Sequence, residues 1–272
     1  MDNLGIPSEV AARLGVFAAI FITMALLEIA LPRRELRFAK GRRWATNWTI
    51  VLINTVMVRL VFPAAAVGPA LYAQANGIGL FNWIDAPIWL AVIVSFVALD
   101  FAVWLMHLVA HKWPLLWRVH RMHHADPDID VSTAIRFHPM EIVLSMGWKA
   151  VVVVLLGAPA MAVLVFEMVL NGGAMFNHAN MRLPLGLDRL LRWLIVTPDM
   201  HRIHHSIHRT EADSNYGFNL SIWDRAFRTY TVDPSDGHDG MDIGLSDCQN
   251  DNPTKLGWTL SIPFISLGKT SS

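Results

Sequence analysis

Long apolar stretches dominate the first two thirds of the chain. The first, residues 10–31, contains only two charged residues, Arg13 and Glu28, and both lie toward its ends. About 20 apolar residues cross the hydrocarbon core of a membrane as a helix, and charged groups near the ends of a span can extend to the interface. The pattern therefore predicts a membrane-spanning helix. The competing interpretation, a secretory signal, fits less well because the stretch is long for the apolar part of a signal.

Three more apolar segments follow, at residues 44–72, 86–106 and 142–176. The last is too long for one span, and Gly157 and Pro159 divide it, so we interpret it as a helical hairpin. Lys149 in its first arm leaves a shallow, re-entrant arrangement open. The predicted fold class is an all-α integral membrane protein with about four transmembrane helices.

The loop after the first segment is strongly basic and holds one acidic residue, Glu35. Its basic residues are Arg33, Arg34, Arg37, Lys40, Arg42 and Arg43. Because loops rich in Lys and Arg stay in the cytoplasm, this loop is predicted to be cytoplasmic. Alternating the later spans then places every histidine cluster on the same side. We expect a multi-pass membrane protein with a cytoplasmic helical cap that carries the histidines.

Composition agrees with a membrane protein and narrows the function. The 272 residues are 54% hydrophobic and 16% charged, against about 25% charged in soluble domains. The formal net charge is zero, which removes the electrostatic basis for nucleic-acid binding. The one cysteine, Cys248, allows no disulfide within the chain. The unusual residue is histidine, which occurs 12 times and is clustered.

Three histidine boxes account for eight of these residues: His107 with His111, then His120, His123 and His124, then His201, His204 and His205. Residues four apart on a helix differ by only about 40° around the axis, so such pairs can face one metal ion. The second and third boxes share the pattern His-Arg-apolar-His-His. Thr197 and Pro198 supply a helix start just before the third box. The boxes predict a metal site built on helix ends.

Eight imidazoles exceed the three or four protein ligands that one zinc ion takes, so the count predicts two metal ions sharing a site, with a ninth or tenth ligand from elsewhere. His178 is the candidate for the ninth. Asn180 is a further candidate, although a polar cap also explains it. His138 is either a ligand or a supporting or helix-capping residue, and His208 follows the third box on the same helical face.

Together, the boxes HLVAH, HRMHH and HRIHH resemble those of the fatty acid hydroxylase and sterol desaturase superfamily. Residues 136–141 (RFHPME), 213–217 (DSNYG) and 220–225 (LSIWDR) are similar to segments of its sterol-desaturase-like members. The resemblance covers roughly residues 90–230. It implies a non-haem di-iron enzyme that uses O2 and two external electrons to hydroxylate or desaturate a C–H bond of a sterol, fatty acyl or related lipid. The ligands carried over are the eight boxed histidines and His178.

Neutral imidazoles suit iron, which can change oxidation state, whereas zinc serves only as a Lewis acid. The sequence contains no glycine fingerprint for a nicotinamide cofactor and no haem-attachment motif, so an external electron donor is expected, such as a ferredoxin or a cytochrome with its reductase. The alternative is a zinc-dependent membrane hydrolase, although the boxes lack the glutamate of HExxH. A metal transporter is a third class, disfavoured because transport sites lie near the bilayer midplane.

The remaining features divide the chain into three predicted parts: 1–89 with the first spans and the basic loop, 90–230 with the histidine boxes, and 231–272 as an acidic tail with an apolar end. Arg121 and Arg202 hold equivalent places in two boxes and are predicted to pair with acidic side chains or to dock a redox partner. The aspartates at 126, 128 and 130 are expected to support histidines or to cap helices.

Overall fold

The computed structural model describes residues 6–64 and 66–268, and these residues form helices and connecting loops with no β-sheet. In chain order the helices are α1 Ile6–Ala30, α2 Lys40–Val61, α3 Val67–Ala75, α4 Leu80–Trp83, α5 Ile88–Lys112, α6 Pro114–His124, α7 Pro139–Leu156, α8 Ala160–His178, α9 Leu185–Leu191, α10 Pro198–His204, α11 Arg209–Ala212, α12 Ile222–Ala226, α13 Gly237–Gly240 and α14 Leu256–Ser261. Short 3-10 turns lie at Val131–Ile135, Ser246–Cys248, Asn252–Thr254 and Ile262–Phe264. The all-α fold class is confirmed.

Five of these helices, α1, α2, α5, α7 and α8, are long and apolar enough to cross a membrane. The sequence predicted about four. The difference lies in the predicted hairpin, because both of its arms, α7 and α8, reach the length of a span. Gly157 ends α7 in the left-handed conformation, at φ 66°, and Pro159 precedes α8. A side chain at Gly157 would also collide with the carbonyl of Ile78, 2.9 Å from the position of its Cβ.

The apolar segment 44–72 is not one helix. α2 ends at Val61, and α3 begins only at Val67 and packs against α7 and α8. Pro63 explains the break, since proline lacks the N–H that a continuing helix needs. The segment therefore provides one span and a short, separate helix, α3, of which Ala70 and Ala73 are buried.

Large apolar side chains cover the outside of the long helices, where a membrane would contact them. Examples are Leu26 on α1, Leu60 on α2 and Leu155 on α7, each more than 60% exposed. Inside, Leu99, Val153 and Phe166 belong to a packed core that joins α3, α5, α7 and α8. Apolar residues on both sides are typical of a bundle that sits in lipid.

The polar end of the bundle is held by buried charges. Arg43 on α2 donates to Asp130 at 2.6 Å and to Asp126 at 3.0 Å, and Asp128 accepts from the backbone N–H groups of Arg37 and Phe38. The three aspartates that follow the second box thus bind the basic loop and not the histidines, and Asp130 also caps the 3-10 turn Val131–Ile135, as the capping alternative predicted. The basic loop and the histidine boxes therefore lie at the same end of the helices.

The apolar C-terminal stretch returns to this polar end. Arg121 of α6 donates to the carbonyls of Ile262 and Ile265 at 2.5 and 2.6 Å, so its partners are backbone carbonyls and not acidic side chains. Trp117 and Met122 of α6 pack in the same apolar cluster as Ile262. The division into three parts stays a prediction, and residues 1–5 and 269–272 of its first and last parts lie outside the described residues.

Candidate metal centre

The histidine boxes lie on three helix ends that meet at the polar end of the bundle. His107 and His111 occupy the last turns of α5, and α6 follows after Trp113, with Pro114 at its first position. In the third box Thr197 caps α10 and accepts from the N–H of Met200 at 3.3 Å, as its sequence predicted. Each box therefore starts or stops a helix where its rings can turn toward the others.

Two groups of imidazoles result. The five-histidine group is His107, His111, His120, His124 and His204, and the four-histidine group is His123, His178, His201 and His205. Within each group the possible ligand atoms lie within 4.8 Å of one another. Every ring is buried, with no more than 4% of the residue exposed. The His-x-x-His-His boxes are split between the groups in a crossed manner.

The crossing follows from helix geometry. In α6 the pair four residues apart, His120 and His124, joins the five-histidine group, and His123 between them joins the other. In the third box the pair four residues apart, His201 and His205, joins the four-histidine group, and His204 joins the first. Adjacent residues differ by about 100° around a helix, so neighbouring histidines point to different centres.

Backbone carbonyls hold several of the rings from behind. The Nδ1–H groups of His107 and His204 donate to the carbonyls of Tyr216 and Ser214, each at 2.7 Å. A carbonyl can only accept, so the proton is on Nδ1 and the lone pair is on Nε2, which points into the group. This arrangement is typical of metal-binding histidines, whose second nitrogen donates to a fixed acceptor.

Carboxylates perform the same task for two other rings of the five-histidine group. His120 donates to Glu141 at 2.6 Å, and His111 donates to Asp213 at 3.3 Å. A carboxylate behind a metal-binding imidazole fixes the ring and makes its other nitrogen a stronger ligand. Both acids lie within the motifs RFHPME and DSNYG, and nothing in the sequence pattern indicated this role.

The loop after α11 contains Tyr216, whose carbonyl accepts from His107. Asp224 accepts from the N–H groups of Tyr216 and Gly217, both at 2.9 Å, and from the indole N–H of Trp104 at 3.0 Å. Trp104 is on α5, three residues before His107. The carboxylate of Asp224 thus fastens the loop to α5 and places the Tyr216 carbonyl at His107. The segments DSNYG and LSIWDR, which the sequence offered only as a resemblance, therefore have a structural role.

The distances between the Nε2 atoms of neighbouring rings show whether this site suits a metal. The Nε2 atoms of His107 and His120 are 3.1 Å apart, although both rings use their Nδ1 protons elsewhere. His123 and His178 repeat this at 3.1 Å, with Nδ1 bound to the carbonyls of Arg136 and Ala174. Two lone pairs at this distance repel each other unless a cation binds both. Nine nitrogen donors in two groups therefore fit two transition-metal ions.

Burial keeps the rings in the state that binds metal. It lowers the pKa of His123, His124, His201 and His205 well below the usual 6.5, with neighbouring histidines adding to the effect, and it lowers the pKa of His204 to about 3. The charged form is disfavoured because a buried imidazolium loses its hydration. The neutral imidazole is the form that coordinates a metal.

The structure separates the further candidates from these groups. His178 lies in the four-histidine group, whereas His138 and His208 lie in neither. His138 caps α7 by accepting from the N–H of Met140 at 3.2 Å. The side chain of Asn180 bonds to the backbone of Arg34, at 3.3 and 2.8 Å. His208 is exposed and bonds to Asp236 at 2.6 Å.

Arg202, the counterpart of Arg121 in the third box, pairs with Asp199 in its own helix. Asp199 also accepts from Arg33 of the basic loop at 3.1 Å. Both side chains of the first pair are buried, with exposures of 1% and 5%. Through Asp199 these contacts hold α10 against the basic loop. Arg202 thus pairs with an acidic side chain, which is one of the two roles predicted for it.

A cavity of about 780 Å³ runs among the long helices and reaches the five-histidine group. His107, His120 and Glu141 lie at that end, with Phe137 and Phe218 beside them. Most of the remaining wall is aliphatic and comes from α2, α5, α7 and α8. An apolar guest in this cavity would lie next to the rings of His107 and His120.

Comparison with known proteins agrees with this arrangement. The sequence profile described as "Fatty acid hydroxylase" matches residues 92–229, about half of the chain. An ornithine lipid hydroxylase of Rhizobium tropici is 31% identical over 60% of this chain and 48% of its own length. The human alkylglycerol monooxygenase is 29% identical over 51% of this chain and 30% of its own.

A cholesterol 25-hydroxylase-like protein of Danio rerio is 27% identical over 79% of this chain and 86% of its own length. The chain spans about half or less of the first two relatives. No solved structure matches this chain significantly.

Proposed function

The chain belongs to the fatty acid hydroxylase family, and from this premise we propose that it is an O2-dependent lipid hydroxylase with two iron ions. The observation that carries the proposal is the pair of buried imidazole groups at the end of an apolar cavity among membrane-spanning helices. The relatives named above are hydroxylases and a monooxygenase, which favours hydroxylation over desaturation.

In this proposal the five-histidine group holds one ion and the four-histidine group holds the other. Iron bound to imidazoles can change oxidation state and so supplies the oxidising power that a C–H bond requires. The chain's own part is to fix the rings: the Tyr216 and Ser214 carbonyls hold the Nδ1 protons of His107 and His204, and Glu141 holds that of His120.

The cavity wall determines what reaches the centre. Its aliphatic side chains exclude bulk water and accept an apolar chain, which protects a reactive centre from side reactions. Phe218 packs against the ring of His107 at 4.9 Å and also lines the cavity. A lipid that enters between the helices would therefore present a chain carbon to the face of the five-histidine group.

The balance of the proposed reaction requires a reductant. One oxygen atom of O2 enters the C–H bond as a hydroxyl group, and the other leaves as water with two electrons and two protons. The external donor is proposed to be a ferredoxin or a cytochrome with its reductase. The short route to the centre is at Trp117, whose ring is 4.9 Å from His111 and 4.4 Å from the guanidinium carbon of Arg209.

The surface beside this route is basic and suits an acidic protein partner. Lys112 is exposed there and Arg209 is half-buried, and both bind Asp213, which accepts from His111. With the basic loop at the same end of the helices, we place this surface in the cytoplasm.

A zinc-dependent hydrolase is the alternative. It needs a carboxylate that is free to activate water, whereas Glu141, which lies next to the five-histidine group, is bonded to His120. Nine imidazoles also exceed what one hydrolytic zinc ion uses. These features support iron over zinc.

The test is oxygen labelling. Membranes that contain the protein, a reducing system and 18O2 are expected to yield a lipid whose mass rises by one 18O atom. The His120→Ala variant is expected to yield none, since it removes a cavity-facing ligand. Oxygen derived from labelled water, or cleavage of a lipid ester without O2, would instead identify a hydrolase and contradict the proposal.

A further inference from the structure

The cavity that reaches His107 and His120 has a second end, which is charged. α7 lines the cavity with one face, from Glu141 through Ser145 to Lys149. Eight residues of helix rise about 12 Å, so Lys149 lies that far along α7 from the carboxylate that accepts from His120. The cavity therefore separates the metal-binding rings from a group of ionised side chains.

These ionised side chains lie inside predicted membrane spans. Glu167 of α8 accepts from Lys149 at 3.2 Å and from Arg13 of α1 at 2.7 Å. The side chains of Lys149 and Glu167 are only 11% and 7% exposed. Charges in the hydrocarbon region are costly and usually mark a functional site. A buried ion pair is also a weak source of stability compared with apolar packing. The group is therefore better explained as a binding feature of the cavity wall.

A further cation stands at the mouth of this end. Arg59, in the last turn of α2, lines the cavity and is exposed; it donates to the carbonyl of Pro63 at 3.1 Å. Among the residues that the structure describes, it pairs with no carboxylate. Thr55 and Leu71 are exposed and line the cavity as well, so the opening is on the lipid-facing surface.

Arg59 brings to this end a cation that pairs with no described carboxylate. Lys149 shares the carboxylate of Glu167 with Arg13, and Arg59 adds a third cation among the described lining residues. An oxyanion that enters through the mouth would meet Arg59 first and Lys149 further in. Charge-assisted bonds of this type are the strong ones in partly buried sites.

We propose that Arg59 and Lys149 bind the anionic headgroup of a lipid, a carboxylate or a phosphate, whose chain then lies along α7 toward His107 and His120. The position of the oxidised carbon rests on the function proposed above; the binding of the headgroup does not. About 12 Å is most of one leaflet, half of a hydrocarbon core of about 30 Å. Oxidation is therefore expected within the chain, far from the headgroup.

Binding to the metal-free protein in detergent tests this directly. The probes share one chain and differ in the end group: tetradecanoate, tetradecyl phosphate, tetradecanol and tetradecyltrimethylammonium. At least one anion is expected to bind about tenfold or more tightly than the alcohol, and the cation more weakly than the alcohol. Preference for the carboxylate identifies a fatty acid, and preference for the phosphate identifies a phospholipid-like headgroup.

Variants localise the effect. Arg59→Gln and Lys149→Gln are each expected to reduce the preference for the anion about fivefold or more, with alcohol binding unchanged. Arg189→Gln, at an exposed arginine of α9 outside the cavity wall, is the matched control and should keep the preference. Because Arg59 is exposed, its variant stays informative even if Lys149→Gln does not fold.

Equal binding of anion and alcohol, or a full preference retained in Arg59→Gln, would overturn the headgroup site. This outcome is separate from the proposed function. Anion preference without any oxidised product would leave the site intact and contradict the hydroxylase. Labelled product without anion preference would support the hydroxylase and contradict the headgroup site.

Discussion

The two histidine groups differ in what surrounds them. The five-histidine group borders the cavity through His107 and His120 and has a carboxylate behind two of its rings. None of the four-histidine group is among the described residues that line the cavity. Phe137, which does line it, stacks on His123 with the ring centres 4.3 Å apart. Similar ligands thus serve one group open to substrate and one closed from it.

This difference assigns separate tasks to the two groups. The five-histidine group borders the apolar cavity on one side and, through Asp213 and Trp117, approaches the half-buried Arg209 and the exposed Lys112 on the other. In the four-histidine group, the rings of His123 and His178 are held by the carbonyls of Arg136 and Ala174. We expect the open group to respond to substrate and the closed group to respond mainly to changes in packing.

The largest effect is expected from removing one ligand of each group. His204→Ala and His123→Ala should each lower bound iron from about two ions to about one and reduce oxidation at least about 100-fold. The measurement combines metal content with product formation, and binding of tetradecanol checks that the cavity persists. Full turnover in His123→Ala would show that the closed group has no part in oxidation.

A smaller effect is expected from the acids behind the open group. Glu141→Gln removes the charge behind His120, and we expect metal affinity to fall about 10-fold to 100-fold. Asp213→Asn should cost less, because Asp213 is partly exposed and accepts from His111 at the longer distance of 3.3 Å. Competition with a metal chelator measures both. Equal losses of metal affinity in the two variants would show that the acid on the cavity side of the group contributes no more than the acid near the protein surface.

The pH dependence of the metal-free protein tests burial in both groups. Burial lowers the folded-state pKa of His204 to about 3 and that of His123, His201 and His205 well below 6.5. Below pH 6.5 the unfolded chain takes up protons that the folded chain does not, so stability falls as the pH falls from 6.5 toward 3.

The expected slope is about 1.4 kcal/mol per pH unit for each such histidine. Denaturant titrations of the metal-free protein from pH 8 to pH 5 measure this slope. A metal-loaded sample should resist acid better, since bound metal favours the neutral rings. Stability that stays constant over this range would contradict the buried, neutral state.

The smallest effect is expected at His208. It is exposed and outside both groups, and its pKa is raised by its hydrogen bond to Asp236. His208→Ala should leave metal content and product formation unchanged and alter stability by less than about 0.5 kcal/mol. Loss of iron in this variant would mean that the two groups are incomplete as described.

The sequence was sufficient for the boxes and for most of the spans. Histidines four residues apart must share a helical face, and a long apolar run must be buried or in lipid, so local pattern decides both. The break in 142–176 was also local, because Gly157 and Pro159 mark it. The break after α2 was missed, since an apolar run looks the same whether it continues a span or turns into α3.

The crossed pairing and the acids behind the rings depend on contacts between distant residues. Nothing near His120 in the chain shows that Glu141 will accept its proton, and Asp213 lies about 100 residues from His111. Which box member joins which group depends on how α6 meets the third box. Such facts come from tertiary packing and not from periodicity.

Metal content of the purified protein tests the central claim most directly. Iron and zinc are counted per chain after purification in detergent, together with O2 consumption in the presence of a reductant. We expect about two iron ions per chain, one for each histidine group, and O2 uptake that requires them. One zinc ion per chain in a fully active protein that consumes no O2 would contradict it.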